Sequence, residues 1–317
     1  MHRPAIPADE PSLRALWSTA FPGTDVFPLW AGDPGRFPRT FVAVDAATVL
    51  AAVYYIPRRL RAADGGAHLV GGIANVATLP TARGRGHARR LLDLALAAMA
   101  ADGCAWSLLF TGTPDVYRGS GFEPFTLRYP SGAPAMAGGA AGGAAGAAPA
   151  FSGWTIGPGS LTEWRGLAAA HRAFNAHRPL TTVRTADDWN RRVPVWYAPP
   201  AELLVAHRRG RLGGYVVLRR TAGEVRVLEA ACRPGREAAL CALFAAVAED
   251  ARAAGVRRCT ARLPADPAID AALPWLLRDP VTETDTTGML RPLHAAPELI
   301  AAMTAVPGAF HWPGDYL

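Results

Sequence analysis

Lysine is missing from this sequence. All 33 basic residues are arginines, and together with 26 acidic residues they give a formal net charge of +7. The absence of lysine excludes modification of the protein on a lysine side chain of its own. A basic balance favours anionic ligands, but the arginines are scattered and form no long basic run of the kind seen in a nucleic-acid-binding arm. We therefore expect no nucleic-acid partner.

Cysteine is scarce, and its spacing is not that of a ligand set. The four cysteines, Cys104, Cys232, Cys241 and Cys259, form no CxxC pair and lie in apolar surroundings. A free thiol in such surroundings behaves as a small apolar side chain. The sequence therefore predicts neither a disulfide framework nor a zinc site, and we expect no metal.

Long apolar runs are also missing. No run approaches the roughly 20 apolar residues of a membrane span, and the first residues lack the apolar stretch of a secretory signal. We therefore expect a cytoplasmic protein without a membrane partner.

A segment built almost wholly of Gly, Ala and Pro divides the chain. It runs from Ser131 to Ala150 and predicts a flexible linker or long loop. A chain of 317 residues has room for about two domains of roughly 100 to 200 residues each. We predict domains at residues 1–130 and 151–293, joined by residues 131–150 and followed by a C-terminal tail at residues 294–317.

The residues before this segment have the pattern of an α/β layer. Apolar residues at helical spacing predict helices over residues 8–20 and 87–101, with a helical turn around residues 116–118. Strands are predicted, in chain order, at residues 41–45, 48–61, 67–79, 106–112 and 122–129. This order predicts an α/β fold, layered as in α+β proteins, with a mixed central sheet flanked by helices. A similar order recurs after the segment and predicts a degenerate second copy.

A loop rich in glycine and arginine joins the third strand to the second helix. In "NVATLPTARGRGHARRLLDLALAAMA", residues 75–100, the chain passes from strand to helix through Gly84 and Gly86. Glycines let backbone N–H groups at the positive end of a helix approach an anion closely, and the arginines add charge. The P-loop and dinucleotide-binding patterns are absent. The loop predicts a pyrophosphate cradle, with an ordinary basic loop that caps a helix as the alternative.

Two motifs in the first half resemble those of the GNAT superfamily of N-acetyltransferases. Arg83-x-x-Gly86-x-Ala88 resembles the acyl-CoA signature R/Q-x-x-G-x-G/A, and "TPDVYRGSGFEPF", residues 113–125, resembles the superfamily's later aromatic turn. The resemblance implies two tandem GNAT folds with the second copy degenerate. It also implies acetyl-CoA as co-substrate and direct transfer of the acetyl group to a primary amine, without a metal.

The resemblance further implies roles for individual residues. Tyr117 stands where family members use a tyrosine as the general acid that protonates the leaving CoA thiolate. The other implied residues hold the co-substrate through a splayed strand, the cradle and the end of the next strand. These cofactor-binding residues are Val76, Ala77, Thr78, Arg83, Gly84, Arg85, Gly86, His87, Ala88, Arg89, Thr111 and Gly112.

The general base has no carboxylate candidate on the central strand, where Asn75 is the polar residue before the cradle. The loop acids Asp25, Asp33 and Asp115 are alternatives that we expect to be solvated. The full chain resembles the Eis (enhanced intracellular survival) group, in which the C-terminal carboxylate is the base, although no room remains for that group's sterol-carrier-like domain. The Leu317 carboxylate is therefore a candidate base, with docking of the tail on the second domain as the alternative.

In the second half, the segment that matches the cradle reads "CRPGREAAL", residues 232–240, with Arg236 in place of the glycine. A side chain there occupies the space of the anion, so we expect no acyl-CoA in that half. Two other functions remain open, a mycothiol-synthase-like tandem acetyltransferase and a non-catalytic acyl-CoA-binding protein. The predicted partner is a small-molecule or peptide amine acceptor; small amines, antibiotic amines, peptide termini and protein lysines all stay open, as does the oligomeric state.

Overall fold

The computed structural model describes residues 1–136 and 153–315, which form two sheets of seven strands each with helices on their faces. The strands are β1 (His2–Pro4), β2 (Thr40–Asp45), β3 (Thr48–Arg61), β4 (Ala67–Thr78), β5 (Trp106–Phe110), β6 (Glu123–Pro124), β7 (Leu127–Pro134), β8 (Thr155–Pro158), β9 (Ala201–Arg208), β10 (Arg211–Arg220), β11 (Glu224–Cys232), β12 (Arg258–Ala261), β13 (Leu277–Asp285) and β14 (Gly288–Pro292). The α-helices are α1 (Glu10–Ala20), α2 (Phe27–Ala31), α3 (His87–Ala101), α4 (Asp115–Arg118), α5 (Trp164–Phe174), α6 (Ala186–Arg191), α7 (Val193–Trp196), α8 (Ala238–Ala253), α9 (Pro267–Leu276) and α10 (Pro297–Ala305). Within these two ranges, no helix is both long and apolar enough to cross a bilayer.

The first sheet has the strand order β1-β2-β3-β4-β5-β14-β6. Its neighbours pair antiparallel except for β4 and β5, which are parallel and are connected through α3. The apolar side of α3 repeats at helical spacing and packs on the sheet, which is why this segment forms an amphipathic helix. Gly103, with a φ of 78°, follows the helix in the left-handed conformation that commonly ends helices.

The second sheet has the order β13-β7-β12-β11-β10-β9-β8 and repeats the arrangement of the first. Its parallel pair is β11 and β12, connected through α8. Helix α8 is apolar on most sides because it packs against α9 as well as against the sheet. The predicted α/β fold with mixed sheets and flanking helices is thus confirmed, and the architecture is consistent with two tandem copies.

Each sheet contains a strand from the other half of the chain. Strand β14 lies in the first sheet between β5 and β6, whereas β7 leaves the first half and lies in the second sheet between β13 and β12. The prediction of one strand over residues 122–129 is wrong, because the chain turns at Phe125, whose ring packs edge-on against Phe110. The division between the two sheets therefore does not follow residues 130 and 293. The domain bounds themselves stay a prediction.

The predicted linker begins within a strand. Residues 131–134 belong to β7, where Ser131 donates a hydrogen bond from Oγ to Glu283 Oε1 at 2.6 Å. The expectation of a loop is wrong for these residues, because backbone pairing with β13 needs no large side chains and Gly132 suits the close approach of that strand. Residues 137–150 lie outside the described part of the chain.

The second half of the chain also covers the first sheet beyond the end of β2. The Arg61 backbone N–H donates to Thr181 O at 2.9 Å, so the segment before α6 pairs with the free side of β3. Arg58 forms an ion pair with Asp188 at 2.5 Å, and both side chains are 12% exposed. One core cluster contains buried residues from both halves, among them Trp106 and Phe244. The two halves are therefore packed into one body.

The four cysteines carry free thiols, as expected. Cys232 and Cys259 are buried, and burial raises the pKa of Cys232 to about 12 and that of Cys259 to about 11. A thiol with so high a pKa is neutral and unreactive under ordinary conditions. These side chains contribute to packing.

Candidate active site

Strand β4 parts from β5 beyond Gly72. The parallel pairing covers Val70, Gly71 and Gly72 of β4, yet β4 continues to Thr78 in contact with β3. A bulge separates the two regions of β4, marked by a register shift opposite β3 and by a φ of 51° at Asn75. Backbone groups of Val76, Ala77 and Thr78 thus lie along an edge that β5 does not cover.

Trp17 holds the bulge in place. Its Nε1 donates a hydrogen bond to the Asn75 carbonyl at 3.0 Å, and the Trp17 side chain is buried in the core beneath α1. Asparagine tolerates the left-handed backbone region better than most residues do. The sequence indicated Trp17 only as part of the apolar face of a helix, because nothing local shows that its indole reaches the central strand.

The cradle loop is open and positively charged. Gly84 and Gly86 have φ values of 76° and 74°, and a Cβ at either position would meet no atom within 4 Å. The conformation, rather than lack of space, therefore requires glycine. No side chain caps α3, so the N–H groups of its first turn point outward at the positive end of the helix dipole. The three arginines of the predicted site are exposed beside this end, Arg83, Arg85 and Arg89.

The corresponding loop of the second half is closed by a carboxylate. The Gly235 N–H donates to Glu237 Oε1 at 2.8 Å just before α8 begins. The exposed Glu237 carboxylate takes up one backbone N–H of this loop, and its negative charge opposes the binding of an anion there. This contact adds a physical reason to the expectation that the second half holds no acyl-CoA.

Tyr117 lies in α4, close to the end of β5. Its side chain is 8% exposed, and its ring packs edge-on against Phe122 at 6.1 Å. Burial raises the pKa of Tyr117 to about 12, although a hydrogen bond with Thr111 acts in the opposite direction. The phenol is therefore neutral at neutral pH and has a proton to donate.

Strand β14, which comes from the second half of the chain, and the residue before it hold the end of β5 in place. The Thr111 N–H donates to Thr287 O at 2.8 Å, just before β14 begins. The Thr111 hydroxyl accepts a hydrogen bond from the Thr113 N–H at 2.9 Å, and a Cβ added at Gly112 would meet no atom within 4 Å. The structure thus brings Thr111, Gly112 and Tyr117 together at the edge of the opening between β4 and β5.

The expectation that all three loop acids are solvated is wrong for Asp33. Its carboxylate accepts hydrogen bonds from Arg39 at 2.5 Å, from the Gly35 N–H at 2.9 Å and from the Tyr54 hydroxyl, and its side chain is 14% exposed. Burial alone would raise the pKa of Asp33, but these hydrogen bonds outweigh it and lower the pKa. Asp115, by contrast, is 88% exposed and pairs with Arg118 at 3.2 Å. Asp25 is also exposed.

The C-terminal tail is anchored up to Asp315, whereas Leu317 lies outside the described residues. The His311 ring stacks on Phe110, the last residue of β5, with ring centroids 5.3 Å apart. Asp315 Oδ1 accepts a hydrogen bond from Arg184 Nε at 2.8 Å. The tail therefore passes the end of β5 and docks on a residue of the second half, while the role of the Leu317 carboxylate stays a prediction.

Sequence reasoning missed the buried polar cluster that receives the tail. Arg184 pairs with Glu229 at 2.7 Å, and the Tyr197 and Tyr215 hydroxyls donate to Glu229 at 2.7 and 2.6 Å. The one signal in the sequence is an acidic residue within the apolar strand "EVRVLEAAC". A buried ion pair needs additional hydrogen bonds to offset the loss of solvation, and the two tyrosine hydroxyls supply them to Glu229. In the described ranges, no group of three or more His, Cys, Asp or Glu residues is arranged to hold a metal ion.

Comparison with known proteins supports an acyltransferase. Residues 2–125 match the family model of an acetyltransferase (GNAT) domain, whereas no curated protein matches the chain. A GCN5-related N-acetyltransferase from Kribbella flavida is 20% identical with a TM-score of 0.68, over 98% of this chain and 73% of that one. A probable N-acyltransferase from Enterococcus faecalis V583 is 17% identical with a TM-score of 0.69, over 93% and 73% of the two chains. Eis1 from Mycobacterium abscessus is 16% identical with a TM-score of 0.62, over 92% and 74%.

The family model matches the first half of the chain alone, whereas the solved structures are similar to nearly the whole chain. The family match covers the cradle, Tyr117 and the parting of β4 from β5, so residues 2–125 are similar to a GNAT acetyltransferase domain, which supports an acyltransferase. The solved structures, at 20% identity or less, show the shared fold over nearly the whole chain. The closer likeness to the Eis group stays a resemblance.

Proposed function

We propose that the protein is an acetyl-CoA-dependent N-acetyltransferase that moves an acetyl group directly to a primary amine of a small-molecule or peptide acceptor. The observation that carries this proposal is the parting of β4 from β5, which leaves backbone groups exposed between an uncapped helix end and a buried, neutral tyrosine. An extended amide-containing arm with a charged end and a thioester fits such an opening.

In this proposal the chain holds acetyl-CoA mainly through its backbone. Val76, Ala77 and Thr78 pair with the amides of the pantetheine arm along the free edge of β4. The pyrophosphate lies on the N–H groups of the cradle, residues 84–89, and its charge is offset by Arg83, Arg85 and Arg89. Thr111 and Gly112 line the other side of the groove at the end of β5.

The proposed reaction needs one acid and one base. The neutral amine attacks the thioester carbonyl, a C–N bond forms, and the C–S bond breaks as the tetrahedral intermediate collapses. Tyr117 donates its proton to the departing thiolate, for which burial has kept the phenol protonated. The amine proton passes to a base, for which we propose the Leu317 carboxylate because the tail is anchored beside the end of β5.

Calorimetric titration with acetyl-CoA tests the proposal. The wild type is compared with Gly86→Glu, which places a carboxylate in the cradle, and with Gly103→Glu at the opposite end of α3. Both glycines have positive φ and no atom within 4 Å of a Cβ, so the backbone strain of the two variants is matched. We expect one equivalent to bind to the wild type and to Gly103→Glu and none to Gly86→Glu. No binding by the folded wild type would contradict the proposal, and two equivalents would show that the second half also binds.

A further inference from the structure

Two histidines meet at the start of α3. His2, on the edge strand β1, places its Nε2 3.0 Å from Nδ1 of His87, the first residue of the helix. The ring centroids are 5.2 Å apart, and both side chains are half-buried. The proposed function uses His87 only as part of the cradle and gives no role to His2.

The short distance limits the charge that the pair can carry. One hydrogen fits between the facing nitrogens, so one ring donates and the other accepts. A first added proton goes to the outward nitrogen of a ring and leaves the shared hydrogen in place. A second would set two N–H groups against each other and break the contact. The intact pair is therefore neutral or carries a single positive charge.

Without a ligand, the surroundings favour the neutral form of His2. Burial lowers the pKa of His2, and His87, the N-terminal ammonium and Arg90 lower it further. The ammonium donates a hydrogen bond to Val44 O at 2.8 Å beside the pair, and the first turn of α3 adds its positive dipole. Arg3, the next residue on β1, is neutralised by Asp9 at 2.6 Å.

We propose that the His2–His87 pair takes up a proton when an anion occupies the cradle, so that acetyl-CoA binds with proton uptake and more tightly at acidic pH. This inference rests on the proposed function. His2 acts here as a positioning residue, because it holds the His87 ring at the helix start and shares its hydrogen with it. The pair is thus a titrating partner for the pyrophosphate, in addition to the permanently charged arginines.

Electrostatics determines the direction in which affinity for acetyl-CoA changes with pH. A pyrophosphate at the N-terminus of α3 stabilises the charged pair, so the bound protein holds the added proton up to a higher pH than the free protein does. The pair loses its added proton at one pH in the free protein and at a higher pH in the bound protein. Affinity for acetyl-CoA is then highest below both of these pH values and falls between them, by about tenfold for each pH unit that separates them. The terminal phosphate of CoA titrates in the same range, so the informative quantity is the difference between variants.

The test is calorimetric titration with acetyl-CoA in two buffers of different ionisation enthalpy, which gives the protons taken up on binding. The wild type is compared with the double variant His2→Gln/His87→Gln. His294→Gln is the matched control, because His294 bonds to Ala100 O at the opposite end of the same helix. Near neutral pH we expect greater proton uptake by the wild type and by His294→Gln than by the double variant. We also expect the wild type to gain up to about tenfold in affinity over the double variant between about pH 8 and pH 5.5.

The outcomes separate the two proposals. Equal proton uptake by all three proteins overturns the role of the pair and leaves the acetyltransferase standing. A folded wild type that binds no acetyl-CoA overturns both. If the double variant fails to bind or fold, the ring nitrogen NMR signals of wild-type His2 and His87 decide. A change in ring charge on adding acetyl-CoA supports the inference, and unchanged ring signals overturn it.

Discussion

At the scale of single residues, Tyr117, the proposed general acid, shows how burial keeps a phenol protonated. An exposed phenol has a pKa of about 10. Burial at the end of β5 raises the pKa of Tyr117 to about 12, so the hydroxyl keeps its proton throughout the range in which an amine substrate reacts. The same change makes Tyr117 unsuitable as a base. In the proposed reaction, the amine proton must therefore go to another group.

Replacing Tyr117 with phenylalanine should slow turnover while leaving acetyl-CoA binding intact. Loss of a general acid lowers kcat by about 100-fold or more, and the ring still fills its place beside Phe122. An amine-acceptor screen by mass spectrometry supplies the assay, and calorimetry measures acetyl-CoA affinity. Tyr129→Phe, in the second sheet, is the control and should be unchanged. A variant with full turnover would exclude Tyr117 as the acid, and a wild type that binds acetyl-CoA but acetylates no amine would favour a non-catalytic acyl-CoA-binding protein.

At the scale of elements, β7 depends on a glycine where it meets β13. A Cβ added at Gly132 would lie 2.5 Å from the Arg278 carbonyl oxygen, which belongs to backbone and cannot swing aside. The two strands also change register between Arg278 and Val281, so their spacing is already set by an irregularity at this point. Gly132 therefore controls how closely the exchanged strand enters the second sheet.

Gly132→Ala should lower the free energy of unfolding by about 1–3 kcal/mol, the usual cost of forcing an atom into filled space. Urea denaturation measures the change. Gly223→Ala is the matched control, because a Cβ there meets no atom within 4 Å, and it should stay within about 0.5 kcal/mol of the wild type. Equal stabilities of the two variants would show that β7 can move away from β13 without cost.

Elements with strong local patterns could be predicted from the sequence, and those made by distant pairing could not. The bounds of α3 and β3 are confirmed because each has clear periodicity between turn residues. Strand β14 has no local pattern that assigns it to the first sheet, and the turn at Phe125 becomes visible only through its contact with Phe110. Both depend on residues far apart in the chain.

The candidate site divides in the same way. The cradle and Tyr117 follow from short motifs in which neighbouring residues act together, and their roles stay predictions. By contrast, the hydrogen bonds that tie down Asp33 include one from Tyr54 on β3, 21 residues further along the chain. Arg184 and Glu229 lie 45 residues apart. No single stretch of sequence contains either arrangement, so neither could be predicted.

At the scale of the whole molecule, exchange of β7 and β14 joins the two halves. Removing the second half takes β14 away from β5 and β6 and leaves unpaired strand edges, which promote aggregation. The partly buried ion pair between Arg58 and Asp188 adds a charged contact between the halves. Neither half is therefore expected to fold well alone.

A chain cut after residue 145 should keep its halves together. A protease site inserted there is cleaved in the purified protein, and gel filtration then shows whether the fragments separate. We expect them to elute together and to bind acetyl-CoA as the intact chain does, because each sheet still receives its exchanged strand. The fragment of residues 1–145 expressed alone should aggregate. If it is instead a folded monomer, β14 is dispensable to the first sheet.

Exchange of β7 and β14 also constrains how the two halves can change in evolution, because each sheet needs a strand from the other half. The loop of the second half can depart from the predicted cradle, as Arg236 and the exposed Glu237 show, without harm to the first half. Deletion of the second half would harm the first half, because it removes strand β14 from the first sheet. Selection for the first site therefore preserves the framework of the second, whose loops are left free to diverge and acquire other roles.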